Sequence, residues 1–468
     1  MSRNKNDRYI SSLLSKPFII LSGTSGTGKT RLALKFANYL EQSINKNALI
    51  ATMKIDKTGK IIDKKENEVK KLCRLGNKFI TKINDTEGVY KSKIIFCEYV
   101  DNTEWDLEGL GKDKIDISIS REYKSYELVP VGADWTDVRP LIGYKNPFGS
   151  NGEEVYEITD TLKVILRALH PENKYKPHFL ILDEMNLSHV ERYFSIFLSA
   201  MEASKSSSDP INLISIDNLE IIKKSLGKSD DLKVERDSID NLIKTNTPIY
   251  MPNNLHIVGT INVDETTYMF SPKVLDRAHV IEMNTDEPSK ILKSLKANTN
   301  DAIDIKNTDG LFNLFKESID NRYNQSKDIM KDLEDILEAT KIKKVEVIIS
   351  SIYKLLKPCK FDFGYRTIIE ILEYIAYGVK LDETSDSYES ILDEAVLQKI
   401  LPKIHGNKRE IEDCLNSLSS FCLGKEASYT HGGEEVKVNS TNIELPMSKY
   451  KINQMLLGLS NVGYTSFI

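Results

Sequence analysis

Eight consecutive residues, Gly23-Thr24-Ser25-Gly26-Thr27-Gly28-Lys29-Thr30, carry the spacing GxxxxGK[ST]. Glycines without side chains let backbone amides surround a phosphate, and a helix beginning there adds the partial positive charge of its N-terminus. Lys29 is expected to reach the β and γ oxygens of a bound nucleotide, and Thr30 to offer its hydroxyl to Mg²⁺. Arg31, the next residue, is grouped with the loop as nucleotide-binding. A chance glycine loop would not require a strand before it and a helix after it, and both are expected here.

Asp183 and Glu184 end the apolar run Phe179 to Leu182. Adjacent carboxylates at a strand end can meet the γ-phosphate of a nucleotide held by a neighbouring loop. Asp183 is expected to hold the metal through water, and Glu184 to orient and deprotonate the attacking water. Asn262 ends a further apolar segment, Leu255 to Asn262, where it can help position that water. Arg277, in Ser271-Pro-Lys-Val-Leu-Asp-Arg277, is a candidate for an arginine that faces a neighbouring subunit's nucleotide; the alternative is a surface salt bridge with Asp276 or Glu282. Arg366, in Phe361-Asp-Phe-Gly-Tyr-Arg366, is a candidate for touching the phosphates of its own subunit, against a plain structural role.

These residues need a parallel sheet to bring them together. Pro17 to Leu21 and Phe179 to Leu182 are continuous apolar runs of strand length, and Leu255 to Thr260 returns the chain to the sheet. Leu32, Leu34, Phe36, Ala37 and Leu40 suit a helix packed on such a sheet. Tyr126 to Val131 reads as mostly apolar, Glu157 to Leu169 as helical, and Ser188 to Ala203 as one long amphipathic helix. Two stretches read as insertions: 41–124, with possible strands at Ala48 to Met53 and Ile94 to Val100, and 204–247, which is polar and expected to be exposed. Beyond Asn284 the pattern is mostly helical. The expected organisation is a nucleotide-binding core over 1–290 and a helical lid over 291–468.

A chain of 468 residues is long enough for more than one core, and its 40% hydrophobic and 28% charged residues describe a globular protein. The net charge of -5 argues against coating nucleic acid through bulk positive charge. Five cysteines, Cys73, Cys97, Cys359, Cys414 and Cys422, lack CxxC spacing and fit reduced thiols in a cytoplasmic protein. No apolar stretch approaches the length of a membrane span. His178, His189 and His256 have no ligand spacing, so core or surface positions are expected. Glu435-Val-Lys437 has the ExK pattern of half a nuclease site but lacks the partner residues just upstream.

Taken together, the motifs point to a P-loop NTPase of the AAA+ type, an α/β fold with a parallel sheet between helices. They resemble the McrB family, the AAA+ GTPase subunits of McrBC-type, modification-dependent restriction systems. Leu182-Asp-Glu-Met-Asn186 is similar to that family's acidic strand-end motif. Gly259-Thr-Ile-Asn-Val-Asp-Glu-Thr-Thr267 occupies the place of its GTMNxxDRS signature, and Val274-Leu-Asp-Arg277 looks like its LRRRF segment. The resemblance spans Phe18 to the closing Gly463-Tyr-Thr-Ser-Phe-Ile468.

That resemblance implies a ring, most commonly a hexamer, that hydrolyses GTP and engages a McrC-like nuclease subunit, with DNA contacted through the complex. The signature has Glu265 and Thr266 where Asp-Arg is usual, so GTP and ATP both stay open as substrates. With the phosphate loop starting at Gly23, the expectation is that the N-terminal DNA-recognition domain common in the family is absent. Recognition then falls to the central insertion, to a partner, or to neither. The alternative is a MoxR-type, ATP-dependent protein-remodelling factor with the same core; a slow nucleotide switch is a third class.

Overall fold

The apolar runs that end in polar residues are strands of one parallel sheet. In the computed structural model the described residues are 3–47, 49–55, 79–85, 88–89, 115–121, 124–149, 152–203, 211–263, 268, 270–285, 289, 308–323 and 328–468. Five strands make the central sheet: β1 (Phe18–Gly23), β2 (Tyr126–Pro130), β3 (His178–Asp183), β4 (Leu255–Asn262) and β5 (His279–Glu282). Their order across the sheet is β5-β1-β4-β3-β2, and all neighbours run parallel. This is the α/β P-loop NTPase core that the sequence predicts.

Both faces of the sheet are covered, which is why its inner strands are apolar at every position rather than at alternate ones. Ile19, Leu21, Phe179, Ile181 and Val258 pack on one face with helix α1 (Lys5–Ser15), helix α2 (Lys29–Asn47) and Phe315 of helix α7 (Thr308–Tyr323). Phe18, Ile20, Leu180, Leu182 and Ile257 point the other way. There they meet helix α3 (Asp160–Leu169) and helix α4 (Ser195–Ala203). In α2 the buried residues Ala33, Phe36, Ala37 and Leu40 recur at helical spacing, so the phosphate loop is anchored by a strand behind it and a packed helix ahead of it.

The structure departs from the sequence expectations in several places. The stretch Ser188 to Ala203 is two helices, Val190–Tyr193 and α4, joined at Phe194. Of the segment read as an exposed insertion, residues 211–247 are folded: strand Asn212–Ile214 pairs antiparallel with Ile249–Tyr250. Two helices follow it, α5 (Leu219–Ser225) and α6 (Lys233–Lys244). Leu219, Ile222, Ile239 and Leu242 are buried, so these helices carry an apolar stripe interleaved with lysines and aspartates. Arg167 of α3 binds Glu235 of α6 at 2.6 Å in the interior.

Within 41–124, strand Leu49–Ile55 covers most of the first expected strand, and it joins Ile115–Arg121, Phe79–Asp85 and Gly88–Val89 in an antiparallel sheet. The second expected strand, Ile94 to Val100, lies outside the described residues. Strand β5 and helix α1 went unread. Tyr9, Ile10, Leu13 and Leu14 form the buried stripe of α1. That helix lies against α9 (Tyr365–Asp382), and its Ser12 hydroxyl donates to Gln398 at 2.8 Å in α10 (Tyr388–Lys399). The C-terminal region is helical as expected, with α8 (Ala339–Leu356), α11 (Lys408–Phe421) and α12 (Pro446–Val462) beside α9 and α10. It also holds a hairpin, Ala427–His431 with Glu434–Val438, on which Glu435 and Lys437 stand. Among the described residues no helix is long and apolar enough to cross a membrane.

Candidate nucleotide site

Strand register decides which residues meet. In the β1–β4 pairing Gly23 lies opposite Asn262, and in the β4–β3 pairing Gly259 lies opposite Leu182, the residue before Asp183. The phosphate loop, the acidic pair and Asn262 therefore emerge side by side at the C-terminal edge of the sheet, where open α/β sheets bind ligands.

The loop curls because Gly26 and Gly28 hold positive φ angles of 81° and 83°. Gly23 has a different constraint: a Cβ there would collide with the Met283 carbonyl oxygen beyond β5. Lys29 is buried and its ammonium donates to the carbonyls of Gly23 at 2.8 Å and Thr24 at 2.6 Å. It also reaches the Thr27 hydroxyl at 3.3 Å. The cation thus sits inside the curl of the loop, where phosphate oxygens would be stronger acceptors than neutral carbonyls. Ser25 and Arg31 lie in the loop and in the first turn of α2, Arg31 at its exposed side.

Asp183 accepts hydrogen bonds at one carboxylate oxygen from two hydroxyls, Thr30 and Thr260, each at 2.6 Å. A hydroxyl beside a carboxylate is the oxygen donor set suited to Mg²⁺, which keeps waters and takes further ligands from substrate phosphates. Among the described residues no group of three or more His, Cys, Asp and Glu forms a metal cage. A phosphate-sharing metal does not need one.

Glu184 has φ 54°, in the left-handed region that non-glycine residues rarely occupy. This turn ends β3 abruptly, and the backbone N–H of Glu184 donates to the Thr260 hydroxyl at 3.1 Å. The Asn262 side-chain amide donates to the Glu184 carboxylate at 3.3 Å, and the Asn186 amide donates to the Asn262 carbonyl at 3.0 Å. Glu184 is thus held at the strand end by β4, and a Cβ on Gly259 of β4 would collide with Met185 just beyond it. Thr260 and Asn186 are residues that sequence reading missed. Thr260 had a signal, since on a strand it shares a face with Asn262 two positions on.

The arginines stand elsewhere. Arg277 lies two residues before β5, whose His279 pairs with Ile19 near the start of β1. At about 3.3 Å per residue, the four positions from Ile19 to Gly23 at the phosphate loop span about 13 Å. Arg277 is 8% exposed and donates to the Leu198 carbonyl at 3.2 Å and the Lys273 carbonyl at 2.8 Å. It also forms an ion pair with Glu202 at the end of α4. That partner is neither Asp276 nor Glu282.

Arg366, at the start of α9, binds the same Glu202 at 2.6 Å and approaches Asp276 at 3.6 Å. The structure thus places Arg366 against Glu202 of α4 and near Asp276, three residues before β5. Lys403 holds Asp276 at 2.5 Å, so the whole lower corner is tied by ion pairs between the sheet and the C-terminal helices. Lys16 and Lys399 add pairs to Glu370 there. Of the histidines, His178 and His256 are fully buried at the N-terminal ends of β3 and β4, and His189 packs its ring on Tyr268 at 3.7 Å. Residues 264–267, which include Glu265 and Thr266, lie outside the described residues.

Comparison with known proteins adds little to this geometry. A family described as a domain of unknown function, DUF8727, matches residues 307–464, the C-terminal helical region. No curated protein matches the chain. Among solved structures the chain is similar to a candidate ATPase from Cytophaga hutchinsonii, at 11% identity and a TM-score of 0.38, over 85% of this chain and 80% of that one. A likeness at that level carries no argument, and the fold rests on the sheet itself.

Proposed function

We propose that the chain is an AAA+ nucleoside triphosphatase that works as a ring, with residues 1–290 as the nucleotide-binding core and 291–468 as its lid. The observation that carries the reading is the contact set Thr30–Asp183–Thr260 and Asn262–Glu184 beside a curled GxxxxGK[ST] loop. Loop amides and Lys29 bind the triphosphate. Thr30 and Asp183 would hold Mg²⁺, which would neutralise charge on the β- and γ-phosphates. Glu184, kept in place by Asn262, takes the proton of a water as its oxygen bonds to the γ-phosphorus and the bond to the β–γ bridging oxygen breaks. Positioning and electrostatics supply most of the acceleration in such a transfer.

A ring would give Arg277 and Arg366, which stand at the opposite end of the sheet from their own phosphate loop, a neighbouring subunit's nucleotide to face. Arginines delivered across a subunit boundary stabilise transition-state charge and can be worth about 10³ to 10⁵ in rate. The resemblance of Leu182–Asn186 and Gly259–Thr267 to the McrB family supports a narrower reading. There the ring, most commonly a hexamer, is the GTP-favouring motor of a McrBC-like antiviral restriction complex, moving or remodelling DNA for a McrC-like partner nuclease.

The test is steady-state hydrolysis of GTP and ATP side by side, with and without the product of the adjacent gene. Preference for GTP with partner stimulation supports the restriction motor. Preference for ATP without stimulation moves the reading to a MoxR-type protein-remodelling factor, and hydrolysis of neither nucleotide sinks both.

A further inference from the structure

Two arginines from different parts of the chain converge on one carboxylate. Glu202 receives Arg366 on one oxygen at 2.6 Å and Arg277 on the other. We propose that Glu202 is a positioning residue that pairs Arg277 with Arg366 and competes for both with the phosphates of a nucleotide on an adjoining subunit. This rests on the ring reading above and assigns the residue that sets when the arginines are released to act.

The two arginines are held differently. Arg277 donates Nε to Leu198 and Nη1 to Lys273, both backbone carbonyls, so its guanidinium plane is fixed without Glu202. Only its Nη2 goes to the carboxylate. Arg366 has Glu202 as its shorter acidic contact, since Asp276 is 3.6 Å away and is itself claimed by Lys403. Removing the Glu202 charge therefore leaves Arg277 aimed and frees Arg366 to swing.

Exposure decides which partner yields. The side chain of Glu202 is 44% exposed and that of Arg277 only 10%. Hydrogen bonds from Arg366 and then Arg277 hold the Glu202 carboxyl below its usual range, so it is charged at neutral pH. Solvent screens ion pairs at such an exposed group, and they contribute little net stability. A phosphate arriving in a subunit interface that sheds water offers more acceptor oxygens and weaker screening. The exchange breaks no covalent bond: two guanidiniums pass from carboxylate to phosphate, and the carboxylate returns to water.

The experiment compares single-turnover and steady-state hydrolysis by the full chain for wild type, Glu202→Gln, Glu202→Asp and Arg277→Ala/Arg366→Ala. Glu202→Gln is also placed in that double-alanine background. Glu202→Gln is expected to raise turnover per subunit about fivefold, the scale of one exposed ion pair, and Glu202→Asp by less. In the double-alanine background the gain should vanish, because nothing remains to be released. Unchanged or lower turnover in folded Glu202→Gln overturns the proposal, and so does a gain that persists without the arginines. If Glu202→Gln does not fold, the presence or absence of a gain in Glu202→Asp decides in the same way. A wild type that hydrolyses neither nucleotide would instead count against the nucleotide site, whereas normal turnover in the double-alanine variant would count against the ring.

Discussion

The two ends of the central sheet are built on different principles. At the C-terminal edge, hydrogen bonds join Thr30 and Thr260 to Asp183 and Asn262 to Glu184, on or directly beside strands whose backbone register sets their places. At the opposite edge, Arg366 and Asp276 are held by ion pairs with Glu202 and Lys403, which belong to other elements, and Arg277 joins Glu202 there while backbone carbonyls fix its plane. A backbone ladder cannot exchange partners without unfolding, whereas an exposed ion pair can. The first end suits chemistry that needs a constant geometry, and the second suits contacts that form and break as subunits turn over.

The strongest way to break this comparison is at the phosphate loop. Lys29→Ala should abolish nucleotide binding, read by equilibrium binding of a fluorescent GTP or ATP analogue, because it removes the ammonium that sits inside the curl of the loop. If the variant bound as wild type does, the loop would not be the phosphate site. Next in size is Arg277→Ala, expected to lower turnover by about 10³ while leaving binding intact. Mixing it with Glu184→Gln subunits should restore partial activity, since mixed interfaces then pair an intact base with an intact arginine. An absence of rescue at every ratio would count against an arginine acting across the subunit boundary.

Glu184→Gln should bind nucleotide and trap it, with turnover reduced by about 10² to 10⁴, the range for losing a general base. The melting temperature should hardly change, because Asn262 can still donate to the amide oxygen of a glutamine. Normal turnover in this variant would remove Glu184 from the role given to it.

The C-terminal edge was legible in the sequence because its signals are local. Phe18 to Leu21 and Phe179 to Leu182 are unbroken apolar runs, and the residues that follow them are the ones that act. Thr260 was passed over because a threonine in a strand is common and its role depends on the hydroxyl of Thr30 arriving from another element. The opposite edge was illegible for the same reason. Glu202 is one carboxylate among many on a helix surface, and nothing near it announces Arg277, which is 75 positions away, or Arg366, which is 164. For Arg366 the sequence leaves a phosphate contact and a plain structural role both open, because its neighbours Glu202 and Asp276 belong to other elements. Residues 211–247 failed through composition: charges on the outer face of α6 outnumber the buried Ile239 and Leu242.

The smallest effect concerns which end gives way in acid. His178, at the N-terminal start of β3, is fully buried, donates from Nδ1 to the Lys176 carbonyl at 3.0 Å, and has Asn254 at 3.4 Å. Burial pushes its pKa down to about 3, and His256 on the adjacent strand is lowered for the same reason. Both rings are therefore neutral in the fold at neutral pH. Below about 6.5 the unfolded chain takes up protons that the folded chain refuses, so stability is present above that pH and falls as the pH drops towards 3. His178→Gln removes one of these protons from the balance. The difference in unfolding free energy between wild type and variant, followed by denaturant titration from pH 7.5 to pH 4, should shift in the variant's favour. The expected slope is up to about 1.4 kcal/mol per pH unit below pH 6.5. A pH-independent difference would mean that acid lability does not originate at His178.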